Sequence, residues 1–177
     1  MILTQWYVPL QMVYENEEII RTGKILKLRT RPVDPTDLMR GKYITLSFAD
    51  NTLELPEEKM PPPQKEYYLT FRTDSAGFDV PAAVVSQPPS GTETYLRVEG
   101  RNYFYDERND LIITYPFDRF YLEESKAPAA EQAYRDSAAD RDNPGYALVS
   151  VKNGRGVVTD VIVNGKSVTD VNPSADN

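Results

Sequence analysis

Polar and apolar side chains alternate along much of this chain, and the clearest case is residues 43–48. Their sequence is Tyr-Ile-Thr-Leu-Ser-Phe, so Ile44, Leu46 and Phe48 fall on one face. A period of two residues is typical of a strand with one buried face. We therefore predict a central strand here, with these three side chains on its core face. Tyr43 is expected to pack on the opposite face or at the preceding turn.

A rigid turn is predicted directly before that strand. Proline fixes φ near −65° and restricts the residue before it, and Asp side chains can bond the backbone of their own turn. A glycine then permits a backbone conformation that other residues resist. The residues of this motif are Pro32, Asp34, Pro35, Asp37, Arg40 and Gly41, followed by Tyr43 and Leu46 in the strand.

Further strands are predicted wherever alternation recurs between turn residues. Pro81 places its strand at a sheet edge or a bulge, because proline cannot donate to a ladder. Four prolines predict a loop over residues 53–65, and Gly100 is expected to break one strand in two. Asn153-Gly154 and Asn164-Gly165 are typical hairpin turns. The predicted strands cover residues 24–30, 67–72, 78–87, 95–99, 102–105, 111–115, 117–122, 146–152 and 156–163.

Two helices complete the prediction. The first occupies the N-terminus, where Pro9 is expected to kink it or to start a second helix, and Gly23 to end it. The second covers residues 127–139, with Ser125 as its cap. The fold class is therefore mainly β: an antiparallel β-rich domain, a curled sheet or barrel-like, with one internal helix and an N-terminal helix. We divide the chain into a helix (1–22), a single β-rich domain (23–171) and a frayed tail (172–177).

Residues 1–12 are mostly apolar and have two interpretations. They are too few to span a bilayer, which takes about 20 apolar residues. One interpretation is the outer end of a truncated membrane anchor, with Trp6 and Tyr7 at the depth of the interface. The other is an amphipathic helix that caps the domain. The residues alone favour the second. The first predicts further apolar residues upstream in the full-length gene.

The amino-acid composition excludes several kinds of catalytic and metal-binding site. The 177 residues carry a formal net charge of −7 and contain neither Cys nor His. Thiol nucleophiles, Ser-His-Asp catalysis and the commonest zinc ligand sets are therefore excluded. We see no dense cluster of Lys and Arg, so nucleic acid is not expected as a partner. No cofactor and no metal site are expected.

Two groups of residues invite a chemical hypothesis. Ser125-Lys126 beside Glu123 and Glu124 could form a Ser-Lys hydrolase pair, but neighbouring carboxylates would raise the Lys pKa, and Ser125 is explained as a helix cap. Glu123 and Glu124 could also form an acid pair with Glu131, although acidic residues at a helix start have a dipole explanation.

The second group is Asp34, Asp37 and Arg40 in the turn, which could bind a cation or a polar ligand. Capping of the turn by these side chains is the favoured interpretation. Neither group amounts to a catalytic motif. We therefore assign no catalytic residue, and keep Asp34, Asp37, Arg40, Glu123 and Glu124 as candidate ligand-binding residues.

Residues 41–48 resemble the motif that gives the GDYXXLXY family of bacterial proteins its name. Gly41, Tyr43 and Leu46 match the pattern, while Lys42 stands in place of Asp and Phe48 in place of Tyr. The lead-in at residues 32–40 and later blocks at residues 119–124 and 163–166 are similar as well. The resemblance implies a membrane-anchored protein of the bacterial cell envelope. It also favours the anchor interpretation of the N-terminus, without indicating a side of the membrane.

Together these observations favour a non-enzymatic envelope protein. Its β domain would bind or scaffold another envelope or membrane protein, while the N-terminal segment holds it at the membrane. The alternative is a hydrolase that uses carboxylates or the Ser-Lys pair. The two differ in whether Ser125, Lys126 and a carboxylate converge in a pocket.

Overall fold

A computed structural model describes residues 3–31, 43–91, 93–105, 108–122, 126 and 145–170. One helix, α1 (Leu3–Thr22), is followed by twelve strands in the described ranges. A 3₁₀ turn (Glu57–Lys59) lies between the fourth and fifth strands. The strands are β1 (Lys24–Arg31), β2 (Tyr43–Thr45), β3 (Ser47–Phe48), β4 (Thr52–Glu54), β5 (Glu66–Thr73), β6 (Asp79–Val85), β7 (Tyr95–Tyr105), β8 (Arg108–Thr114), β9 (Arg119–Tyr121), β10 (Tyr146–Lys152), β11 (Arg155–Val163) and β12 (Lys166–Ser167).

The strands form two five-stranded sheets and a two-stranded ribbon. The first sheet has the order β12-β11-β10-β1-β3, the second the order β4-β8-β7-β5-β6, and the ribbon pairs β2 with β9. Every ladder between these strands is antiparallel, and one parallel bridge joins Leu96 to Gly154. The sheets curl into a nearly closed barrel-like structure, which confirms the predicted fold class. The predicted helix over residues 127–139 lies outside the described residues.

A single apolar core fills the space between the sheets. It draws on both five-stranded sheets and on the ribbon, and its side chains come from alternate positions of each strand. Leu69, Leu96, Leu111, Val149 and Val161 are all fully buried.

Residues 43–48 place their apolar side chains as the alternation predicts. Ile44, Leu46 and Phe48 are buried at 0%, 4% and 6% exposure, while Tyr43 lies half-buried on the opposite face. The prediction of one central strand is wrong, however. The segment changes partner at Leu46: β2 pairs with β9, and β3 then pairs with the end of β1. Both pieces are therefore short strands that link the ribbon to the first sheet.

Two further predictions are corrected. Gly100 does not break the strand, because β7 runs unbroken from Tyr95 to Tyr105. A side chain at Gly100 would approach the Tyr67 ring to 2.7 Å, so the glycine makes room for that ring. The predicted loop over residues 53–65 starts too early, because β4 pairs Leu53 with Leu111 of β8 before the prolines begin.

Helix α1 ends against β10, as Gly23 predicts. The Gly23 amide donates to the Ile19 carbonyl oxygen at 2.8 Å, and the buried Ser150 hydroxyl donates to the same oxygen at 2.6 Å. A Cβ atom at Gly23 would lie only 2.4 Å from the Ser150 hydroxyl oxygen. The helix and the sheet therefore meet at a contact that only glycine allows. Pro9 lies within α1, which continues as one element on both sides of it.

Arg29 of β1 joins the two five-stranded sheets. Its guanidinium pairs with Asp50 at 3.1 Å and with Asp74 in the β5–β6 turn, and it lies 4.5 Å from the centre of the Phe78 ring. Nearby, the Lys27 amide donates to an Asp79 carboxylate oxygen at 2.9 Å. No ladder pairs β1 with β6 among the described strands, so these side chains close the seam between them.

The charge of Asp74 is stabilised by the turn that it organises. The amides of Phe78 and Ala76 each donate to its Oδ1 atom at 2.9 Å. These backbone bonds, chiefly that from Phe78, and the Arg29 guanidinium lower the pKa of Asp74. The Arg29 seam therefore contains a carboxylate that stays ionised down to acidic pH.

Truncation of Leu46 tests the core face of residues 43–48. We expect Leu46→Ala to lower the free energy of unfolding by about 2–5 kcal/mol, because a buried Leu side chain leaves a cavity. The matched control is Ile25→Ala, which removes an aliphatic side chain that is 56% exposed on β1. That change should cost about 0.5 kcal/mol or less. Urea melts provide both values, and equal losses would contradict the assignment of the faces.

Candidate functional site

Most of the residues singled out by the sequence lie outside the described ranges. Tyr43 and Leu46 are described, and Lys126 is described without its neighbours. Convergence of Ser125, Lys126 and a carboxylate is therefore not addressed by the described residues. The candidates outside the described ranges are Pro32, Asp34, Pro35, Asp37, Arg40, Gly41, Glu123, Glu124, Ser125 and Glu131.

Leu46 has a structural role, whereas Tyr43 belongs to an exposed surface. In the ribbon, Tyr43 lies directly opposite Tyr121, and their ring centres are 5.6 Å apart at an angle of 60°. The Arg119 guanidinium lies 4.9 Å from the centre of the Tyr43 ring. We call Tyr43, Arg119 and Tyr121 the ribbon face. Its opposite side is apolar and buried, with Ile44 next to Phe120.

The ribbon face is held together by polar as well as aromatic contacts. The pKa of Arg119 is raised chiefly by a side-chain hydrogen bond with Tyr121. The nearby negative charge of Asp118 is the second cause. The Asp118 carboxylate lies 3.7 Å from the Arg119 side chain. Tyr121 remains 66% exposed. An aromatic pair with an arginine has the composition of binding hot spots, in which Tyr and Arg are enriched.

A groove of about 400 Å³ lies next to the ribbon, where β8 ends and the chain turns towards β9. Val98 and Tyr115 form its apolar floor. Its rim carries three carboxylates and one guanidinium, from Glu66, Glu99, Asp118 and Arg97. We call this the acidic groove. It forms because β7 pairs with β8 only from Glu99 onwards, which leaves residues 97 and 98 without that neighbour.

The rim charges are only loosely neutralised. Arg97 lies 4.0 Å from Glu66, and Lys65 lies 3.6 Å from Glu99. All four side chains are at least half exposed, and such surface pairs are weak. The carboxylates therefore remain able to exchange these partners for a cationic ligand.

A hydrogen bond and a ring contact hold Tyr115 in the floor of the groove. The Tyr115 hydroxyl donates to the Asp50 carbonyl oxygen at 2.8 Å, and its ring packs against Phe48 at a centre-to-centre distance of 4.8 Å. Burial raises the pKa of the Tyr115 hydroxyl well above its ordinary value. Tyr115 consequently supports the groove without exchanging a proton near neutral pH.

Asp118 links the groove to the segment around the motif. Its side chain lines the groove and neighbours Arg119, while its carbonyl oxygen accepts a hydrogen bond from the Leu46 amide at 2.7 Å. The ribbon face and the acidic groove therefore form one continuous surface. The partner switch at Leu46 fixes its geometry.

This surface is suited to non-covalent recognition. Within the described ranges, no group of three or more acidic side chains is placed to hold a metal ion. An apolar floor between carboxylates suits an extended segment that carries Lys or Arg, since opposite charges across an interface steer and select partners.

Sequence reasoning found only part of this surface. Alternation around the predicted strand over residues 117–122 could have placed Arg119 and Tyr121 on one face, opposite Phe120. The groove had no such signal, because Glu66, Glu99 and Asp118 lie far apart in the chain. The sheet register sets Glu66 opposite Glu99, and Asp118 reaches the groove from the turn between β8 and β9.

Comparison with known proteins identifies the family. The profile described as "GDYXXLXY protein" matches residues 5–161, which is most of the chain. This protein therefore belongs to the GDYXXLXY family, as the motif predicted. No curated protein and no solved structure gave a significant match.

The coupling between the two ribbon tyrosines can be measured with a double-mutant cycle. Tyr43→Ala, Tyr121→Ala and the double variant should give an interaction energy of about 0.5–1 kcal/mol, as expected for a cross-strand aromatic pair. Urea melts of the wild type and the three variants give the four free energies of unfolding that the cycle requires. Strictly additive losses would mean that the rings are adjacent without stabilising each other.

Proposed function

We propose that this member of the GDYXXLXY family is a non-enzymatic domain of the bacterial cell envelope. In this proposal helix α1 holds it at a membrane and the acidic groove binds a basic segment of another envelope protein. The observation that carries the binding role is the groove itself, with its apolar floor and its three exposed carboxylates.

The two halves of α1 support a role for this helix in attachment. Contacts to the β domain are made at Glu15, which pairs with Arg155, and at Glu18, which accepts a hydrogen bond from Lys152 at 2.7 Å. The preceding turn instead exposes its apolar side chains to solvent. These are Leu10, Met12, Val13 and Tyr14, between 55% and 70% exposed.

The exposed side chains point in several directions, because residues 12, 13 and 14 are consecutive on a helix with about 3.6 residues per turn. A helix that packs only against its own domain would keep one polar face at this point. Apolar exposure around the helix suits an apolar environment. No helix in the described part of the chain meets the length and apolarity needed to cross a bilayer.

The close contact between Gly23 and Ser150 would set the orientation of the β domain relative to α1. The helix is not followed by a flexible linker, because β1 begins at Lys24, directly after Gly23. A domain attached in this way would present the acidic groove in a defined orientation. This suits a scaffold that positions a partner.

Removal of the rim charges tests the binding role in the native envelope. A photo-crosslinking residue in place of Thr114, which lines the groove, would capture the partner before solubilisation. Glu66→Gln combined with Glu99→Gln should lower recovery of that partner by about tenfold, because Arg97 and Lys65 would then repel a basic segment. Raising the salt concentration should weaken recovery further.

The matched control is Glu58→Gln combined with Glu93→Gln, which removes the same charge from exposed carboxylates that do not line the groove. This control should leave recovery unchanged. Equal recovery with the groove variant and the wild type would contradict the proposal, as would an equal loss with both double variants.

A further inference from the structure

Two Asn-Gly turns in this chain have nearly the same backbone conformation. Asn153 and Gly154, between β10 and β11, have φ values of 50° and 77°. Asn164 and Gly165, between β11 and β12, have φ values of 51° and 75°. Positive φ at both positions is the signature of the type I′ hairpin turn. Both asparagines are exposed.

The surroundings of the two glycines differ. Gly154 is buried, and a Cβ atom there would lie 2.8 Å from the Tyr95 ring. Its carbonyl oxygen also accepts a hydrogen bond from the Arg97 amide at 2.8 Å. Gly165 has no atom within 4 Å of the same position and is exposed. One turn is therefore clamped against β7, and the other is open.

An asparagine followed by glycine can modify itself. The backbone nitrogen of the glycine attacks the side-chain amide carbon of the asparagine; a C–N bond forms and ammonia leaves. Water then opens the resulting five-membered succinimide ring, which yields aspartate or isoaspartate. The ring requires the asparagine backbone to rotate away from the left-handed conformation of the turn. The rate consequently depends on how readily each turn opens.

We infer that Asn164 is a site of spontaneous deamidation in the folded protein, whereas Asn153 is protected by its clamp. Opening the Asn164 turn breaks few contacts, because β12 has only two residues. Opening the Asn153 turn breaks the Arg97 hydrogen bond and uncovers the Tyr95 ring. The reaction needs only water, so it proceeds without an enzyme.

The product would alter the edge of the first sheet. Isoaspartate adds one carbon to the backbone of the turn that sets the pairing of Val163 with Lys166. Just beyond it, the fully buried Val168 donates its amide to the Val161 carbonyl oxygen at 2.9 Å. We expect the modification to loosen this last contact of the described chain with the core.

Mass spectrometry of the full chain tests this inference. After incubation at mildly alkaline pH, peptides that contain each turn are quantified for aspartate and isoaspartate. Asn164 should convert about tenfold faster than Asn153, which corresponds to about 1.4 kcal/mol in the free energy of opening. In concentrated urea the two Asn-Gly pairs should convert at similar rates, since neither turn is then folded.

Tyr95→Ala is the informative variant, because it removes the ring that covers Gly154. It should accelerate conversion at Asn153 and leave Asn164 unchanged. Equal rates at the two sites in the folded protein would overturn the inference. So would conversion of both sites in urea with none at Asn164 in the folded chain.

Discussion

The seam that Arg29 closes is the contact on which the rest of this structure depends. Neither five-stranded sheet closes on itself, and no ladder joins β1 to β6 in the described part of the chain. The guanidinium of Arg29 reaches across from β1 instead and pairs with Asp74 in the β5–β6 turn and with Asp50 in the β3–β4 connection. Charge-assisted hydrogen bonds are stronger than neutral ones, and partial burial limits their screening. The seam therefore holds the curl of the sheets in which the acidic groove lies.

A second link lies directly beside the first, because β3 pairs with Thr30 and Arg31, the two residues after Arg29. Residues 43–48 leave β9 at Leu46 and continue to the end of β1, so a short segment belongs to both the ribbon and the first sheet. The buried Leu46 and Phe48 pack in the core between them, and Phe48 supports the Tyr115 ring under the groove. Within the motif of the family, Leu46 therefore packs in the core, whereas Tyr43 lies half-buried on the ribbon face.

Local patterns predicted much of this fold. Alternation located most of the long strands, and glycine or Asn-Gly pairs located the end of α1 and the hairpin turns. The wrong predictions concern positions where residues distant in the chain determine the local structure. Gly100 is a strand residue because the Tyr67 ring lies against it, and residues 43–48 are divided because they have two different partners. The acidic groove was missed for the same reason, since the sheet register brings Glu66 and Glu99 together and the turn after β8 adds Asp118.

Hydrogen exchange in an Arg29→Met variant tests the seam most directly. The amides of Ala76 and Phe78 donate to Asp74, the partner of Arg29, and the Lys27 amide donates to Asp79 across the same seam. Exchange at all three should accelerate by about tenfold or more when the Arg29 guanidinium no longer holds the seam closed. Amides in the β10–β11 hairpin should change much less. Arg97→Met, which removes an exposed arginine, should leave all of them nearly unchanged. Unaltered exchange at the seam in Arg29→Met, or equal acceleration throughout the protein, would contradict this account.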